Sequence, residues 1–245
     1  MENKVSPSPV LMRGIITGLT KRRASYETVF TGADKRNMER TALVAALAGL
    51  NDIALNLSNS TQFTDTVGDL VTFNLNGEEV RAWIWLSVFE NGDEVEVVAE
   101  WADAGWMGYA IRRCRDGVLS VYPHCERGSK ALFKNLMKLS TLIWSGSALV
   151  VTVIMILRTL DEREIWGGLF TSVFAAWVMV EIMAIFIAYR IWRRFKTQLL
   201  MANKIFSTFG WKNAANIDLP KSSKKLRQPE DTWRMGKLIF RYRED

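Results

Sequence analysis

Leu139–Leu160 reads LSTLIWSGSALVVTVIMILRTL, and Ile165–Tyr189 reads IWGGLFTSVFAAWVMVEIMAIFIAY. The first stretch carries one charge, Arg158, at its far end, and the second carries one, Glu181, in its interior. At about 1.5 Å per helical residue they cover about 33 and about 37 Å, enough to cross a hydrocarbon core of roughly 30 Å. Only Asp161, Glu162, Arg163 and Glu164 lie between them. A link that short joins antiparallel neighbours. Helices of a soluble protein alternate apolar and polar faces, and these two do not. The pair therefore reads as a transmembrane hairpin, 139–160 and 165–189.

The 245 residues are 49% hydrophobic with a mean hydropathy of +0.01, so the apolar content is concentrated in that hairpin. Residues 10–130 are enough for one small domain with its own core. The net charge of +6 sits next to the hairpin. Lys130, Lys134 and Lys138 precede it, and Arg190, Arg193, Arg194 and Lys196 follow it. Basic residues with Trp144 and Trp192 near the span ends suit anionic headgroups and the interfacial aromatic belt, so the expected partner is membrane lipid and not nucleic acid. The start, MENKVSPSPVLMRGII, has no charged-then-apolar pattern with a small-residue cleavage site. Synthesis in the cytoplasm without a signal peptide is the expectation, with both termini cytoplasmic and the DERE loop outside. Cys114 and Cys125 do not make a disulfide framework.

Residues 1–9 read as a flexible arm. Val10–Thr20 reads as a strand, with Gly14 and Gly18 marking bulges or curvature. Thr28–Thr31 suggests a short second strand. Asp34–Leu57 changes to a period of three to four, with Asp34 as N-cap, and predicts an alanine-rich helix over 34–57 laid against a sheet. Strands are predicted over Leu70–Leu75, Val80–Phe89, Glu94–Glu100, Met107–Arg113 and Val118–Tyr122, with turn signals at Asn76-Gly77, Asn91-Gly92 and Asp116-Gly117. Short strands at this spacing predict an α+β membrane protein: a small antiparallel OB-like β-barrel with an inserted helix, then the hairpin. Residues 190–245 are expected as a basic amphipathic helix and tail, with a charged, mobile stretch between Pro220 and Pro229. Lys237–Arg243 could supply a terminal strand.

His124, the one histidine, lies in Tyr122-Pro123-His124-Cys125-Glu126-Arg127-Gly128. Neighbouring side chains in a strand or turn point in different directions, and the spacing to Cys114 matches no zinc template. A Cys–His nucleophilic pair lacks an orienting group. Asn91-Gly92-Asp93-Glu94 resembles an acidic loop, but it lacks calcium-ligand spacing and a hairpin turn accounts for it. No phosphate-binding, dinucleotide-binding or hydrolase motif is present, so neither enzyme activity nor a cofactor or metal is expected.

The hairpin offers more. Thr141, Ser145, Ala148 and Thr152 form a small, weakly polar stripe on the first span, and Gly168, Thr171, Ala175, Val178, Glu181 and Ala188 form one on the second. Close helix–helix packing accounts for both, and so does a water-filled lumen formed by several associated hairpins. Glu181 suits either, or a pairing with Arg190 or headgroups.

The run ENGDEVEVVAE, then GYAIRR, then VLSVYPHCERGSKA resembles a bacterial family of type VI secretion system effectors. The AALAGL segment, Gly77–Trp85 and the GW…IDLP pattern of Gly210–Pro220 are similar too, and YPHCERG is the most specific piece. The resemblance implies an antibacterial protein delivered by a contractile needle and neutralised in the producer by a cognate immunity protein. It implies a secretion tube, spike component or chaperone as further partners, and permeabilisation of the target inner membrane. Homo-oligomeric hairpins conducting ions are the leading expectation. The rival is a resident inner-membrane binding module, such as an immunity protein or something similar to NfeD-like scaffolds.

Overall fold

Val10–Ser25 (β1) is long enough to serve two neighbours, and the barrel is built around it. In the computed structural model, which describes residues 8–25, 66–102, 105–159 and 166–244, its first half pairs with Glu94–Ala102 (β4) and its second half with Val67–Leu75 (β2). The partner changes between Ile15 and Ile16, and a register shift follows between Thr17 and Thr20, where Gly18 has φ of 63°. Glycine takes that left-handed conformation without a Cβ penalty, and a bulge of this kind bends the strand.

β2 turns through Asn76-Gly77, φ of 54° and 88°, into Glu78–Ile84 (β3). Positive φ at both central residues is the hairpin geometry that Asn-Gly favours. Gly105–Arg113 (β5) pairs antiparallel with β4 and parallel with β3 through Val80↔Trp106, Arg81↔Met107 and Ala82↔Gly108. That parallel pairing closes a five-stranded barrel in the order β1-β2-β3-β5-β4, so the expected barrel is antiparallel except at one seam. Gly108 sits at the seam, where a Cβ would meet the Ala82 methyl at 2.9 Å. Val118–Val121 (β6) and Phe240–Arg241 (β7) extend the sheet beyond β5, and β7 falls within the predicted terminal strand.

Two turn and strand expectations need correction. The strand predicted over Val80–Phe89 ends at Ile84. Asn91-Gly92 turns the chain but makes no hairpin, because β4 pairs with β1 and not with β3. Its hydrogen bonds go to the bend in β1: Gly92 N–H to the Ile16 carbonyl at 2.9 Å, and Leu19 N–H to Asn91 Oδ1 at 2.8 Å. The predicted helix 34–57, the strand Thr28–Thr31, most of the arm 1–9 and the DERE loop lie outside the described residues.

The chain divides into two compact units, 1–129 with 197–245, and Lys130–Lys196. In the first, Ile16, Val71, Phe73, Val80, Val95 and Ile111 fill the barrel, following the alternation of their strands. The outer wall forms a second core with Val98, Tyr109, Leu119 and Val121. It is covered by Met201, Ala202, Ile205 and Phe206 from the end of Trp166–Thr208 (α2), and by Ile217, Leu219 and Phe240. Trp211 stacks on Phe209 at 4.7 Å and packs against Tyr242 at 4.3 Å between ring centroids. The charged stretch expected to be mobile instead folds as the helix Leu219–Lys225 (α3), because Pro220 sits in its first turn and the Asp218 carboxylate caps it by accepting from Lys221 N–H at 3.0 Å.

The second unit comprises most of Ser129–Thr159 (α1) and Trp166–Lys196 of α2. Leu142, Leu149, Met179 and Ile185 are each more than 60% exposed, whereas a helix folded in water buries its apolar face. Among the described residues, one helix is long and apolar enough to cross a membrane, over Ser129–Ile154.

Candidate functional sites

The hydroxyls of Thr141, Ser145 and Thr152 donate to carbonyls of their own helix, those of Met137, Leu142 and Ala148, at 2.8–3.1 Å. All three side chains are exposed. This back-bonding satisfies a hydroxyl where no water is available. The half-buried face of α1 instead holds Ser140, Ser147, Ala148 and Val151, and that of α2 holds Trp177, Val178, Glu181, Ala184 and Ala188. Ala175 is exposed, and Gly168 and Thr171 occupy the first turns of α2. The structure therefore brings Ala148, Val178, Glu181 and Ala188 of the expected stripes onto the half-buried faces and leaves Thr141, Ser145, Thr152 and Ala175 outside them.

Ser147 is the residue the sequence stripe passed over. Its Oγ lies 3.4 Å from Glu181 Oε1 and 2.9 Å from the Trp144 carbonyl, and it accepts from Trp177 Nε1 at 3.2 Å. One hydroxyl proton cannot serve both acceptors, and the carbonyl is the closer. Glu181 Oε1 therefore lies beside a hydroxyl of the facing helix whose proton is nearer to the Trp144 carbonyl. Trp144 and Trp177 pack at 5.3 Å beside this contact. Positions 140, 147 and 151 fit a helical period as well as 141, 145, 148 and 152, so periodicity alone could not choose between adjacent faces that both carry hydroxyls. Of the basic flank, Lys138, Arg190 and Arg193 are exposed, and the Lys196 ammonium lies 5.9 Å from the Trp192 ring centroid. Arg194 lies on the same stretch of α2.

The YPHCERG segment joins β6 to α1. Tyr122 to Cys125 is a β-turn closed by Cys125 N–H to the Tyr122 carbonyl at 3.1 Å, with Pro123 at its second position. His124 at the third has φ of 66°, a conformation uncommon for a residue with a Cβ. Its ring meets Trp85 edge-on at 5.1 Å and its Nε2 lies 3.3 Å from Thr66 Oγ1. Burial lowers the His124 pKa below the ordinary histidine value and outweighs the opposing charge of Glu126, which favours neutral imidazole at pH 7. Cys125 points elsewhere: it is fully buried and its thiol donates to the Gln198 carbonyl at 3.6 Å. His124 and Cys125 therefore do not face one another. Among the described residues no three of His, Cys, Asp or Glu are placed to hold a metal.

The rest of the motif binds chain to chain. Gly128 N–H donates to the Ile217 carbonyl at 2.8 Å, Leu219 N–H donates to the Glu126 carbonyl at 3.1 Å, and Arg127 Nε lies 3.5 Å from Asp218 Oδ2. YPHCERG and IDLP, two separate pieces of the sequence resemblance, are thus one hydrogen-bonded junction. Asn203 completes it by accepting from Ser129 N–H at 3.0 Å and donating to Ser129 Oγ at 2.8 Å.

Burial raises the pKa of both thiols, Cys125 well above the ordinary value, and Cys114 is only half-buried. The thiolate is the reactive form. In the native full chain, a maleimide at mildly alkaline pH is expected to label Cys114 and to spare Cys125 until denaturant is added. Equal labelling rates, read by peptide mass spectrometry, would contradict the Gln198 contact.

These features define a five-stranded barrel sealed along one wall by its own carboxyl-terminal segment, in a chain that also carries apolar helices with outward-facing side chains. Comparison with family models, curated proteins and solved structures found no match.

Proposed function

We propose that the chain is a membrane-inserting antibacterial effector whose helix pairs assemble into an ion-conducting path across a target cell's inner membrane. In this reading α1 and the apolar part of α2 are the arms of a transmembrane hairpin, and the barrel is an OB-like head. The contact of Ser147, Trp177 and Glu181 carries the reading, because it sets an ionisable group in a helix pair whose exposed side chains are mostly large and apolar. A charged side chain in a span costs about 2.5–3.5 kcal/mol on insertion scales and usually faces a partner or a water path. Among the described contacts Glu181 meets the Ser147 hydroxyl and no cation, and a carboxylate lining the path would favour cations. The cognate partner would be an immunity protein, and delivery would use a secretion tube, spike or chaperone.

A second reading is a resident inner-membrane binding module, favoured by the closed barrel whose outer wall is covered by Phe206, Leu219 and Phe240. Expression in bacteria separates the two. Sent to the periplasm, an effector collapses the membrane potential read by a voltage-sensitive dye, and Glu181→Gln weakens that collapse several-fold. A chain that leaves the potential intact and protects cells from a membrane-acting toxin is the resident module.

A further inference from the structure

We infer that α3 and the turns after it form a second lipid-binding surface, on the barrel unit, that recognises anionic headgroups independently of the ion-path reading. Lys221, Lys224, Lys225, Arg227, Arg234 and Lys237 are all exposed there. Two carboxylates accompany them. Glu230 is exposed, and Asp231 is committed to Arg241 Nη1 and Nη2 at 2.7 and 3.0 Å. The outward charge of this stretch is therefore strongly positive, within the range of four to eight basic residues that bind anionic leaflets.

The cations are held on a folded scaffold. Ser223 accepts from Arg241 N–H at 2.8 Å, Arg241 Nη1 donates to the Leu226 carbonyl at 3.1 Å, and a Cβ on Gly236 would touch Pro220 and Ser223 at 3.6 Å. Asp231 N–H closes a turn on the Gln228 carbonyl, and Met235 N–H closes another on that of Thr232. Trp233 stands at the tip of the second turn, 65% exposed, while Met235 two residues on is buried. The Arg234 guanidinium and the Lys237 ammonium lie 5.5 and 5.4 Å from its ring centroid.

An exposed indole with cations beside it matches the bilayer interface, where the ring sits at headgroup level and the cations meet phosphate. It suits nucleic acid less well, because stacking a base needs a free ring face and cations already lie over this one. The chain's own Ser129–Ile154 helix, long and apolar enough to cross a membrane, also favours lipid as the partner.

The test uses the full chain in nanodiscs of phosphatidylcholine alone and of phosphatidylcholine with phosphatidylglycerol. Hydrogen exchange of the peptides over 221–239 is expected to slow by roughly tenfold in the anionic discs only. Raising NaCl to ~0.5 M should reverse this, because exposed charges are then screened. The variant Lys221→Gln, Lys224→Gln, Lys225→Gln should lose the protection while its β7 amides remain protected, and Trp233→Ala should reduce it separately. Equal exchange in the two discs would overturn the inference. So would protection by a single-stranded oligonucleotide in zwitterionic discs when anionic lipid gives none.

Discussion

Replacing Arg241 with alanine is expected to lower the unfolding free energy of the barrel unit by about 3–5 kcal/mol, because it strands a buried carboxylate. The Arg241 and Asp231 side chains are 10% and 8% exposed, and their bidentate pair joins the loop after α3 to the last strand. The same guanidinium donates to the carbonyls of Leu226 and Asp116, so one side chain ties α3 to the β5–β6 hairpin. Burial by itself would raise the Asp231 pKa. Hydrogen bonds from Arg241 and Gln228 N–H, with the charges of Arg241 and Arg227, outweigh it and hold the carboxyl below its ordinary value. A depressed pKa contributes stability that is fully present above the unfolded value of about 4 and lost as pH falls through the folded value. Asp231→Asn should therefore be clearly less stable than the parent at pH 7 and approach it in acid. Thermal unfolding of the full chain in detergent at several pH values checks this. A penalty independent of pH would contradict it.

Gly128→Ala is expected to cost about 2–4 kcal/mol, combining an overpacked contact with a weakened hydrogen bond. A Cβ at Gly128 would press into the carbonyls of Ala214 and Ala215, which are backbone and cannot swing aside. Moving them would stretch the bond from Gly128 N–H to the Ile217 carbonyl and the Arg127–Asp218 bridge. The expected signature is local: faster hydrogen exchange at Gly128, Ile217 and Leu219, with β2 and β3 unaffected. Alanine tolerated without loss of protection would mean that the junction is not closed in solution. The motif that stands out most in the sequence thus has an architectural use, joining the barrel to its carboxyl-terminal cover.

The strand stretches within β2, β4 and β5 and the Asn76-Gly77 turn were readable because composition and turn chemistry are local signals, whereas the bulge that puts Tyr109 and Ala110 on the same side of β5 was not. The end of β3 was not. Trp85, Leu86, Val88 and Phe89 continue an apolar run, yet Phe89 fills the barrel while Leu86 packs with Val118, Met235 and Ile239. The parallel seam has no local signature beyond Gly108, whose lack of a Cβ admits Ala82. α2 shows the deeper difficulty. Its apolar side chains turn outward around Met179 and Ile185 and inward onto the barrel wall at Ile205 and Phe206, although the residue types are similar. Hydropathy reports that a face must be covered and not what covers it. Arg241 was hidden for the opposite reason: a cation in a basic tail reads as solvated, and only the fold brings Asp231 to it.

If assembled helix pairs carry ions past Glu181, the protein alone should conduct. Purified full chain in planar bilayers tests it most directly, with insertion verified separately by flotation. Discrete, cation-selective conductance steps are expected, with a reversal potential that moves toward zero in Glu181→Gln under a salt gradient. Inserted protein that gives no conductance at any concentration would contradict it.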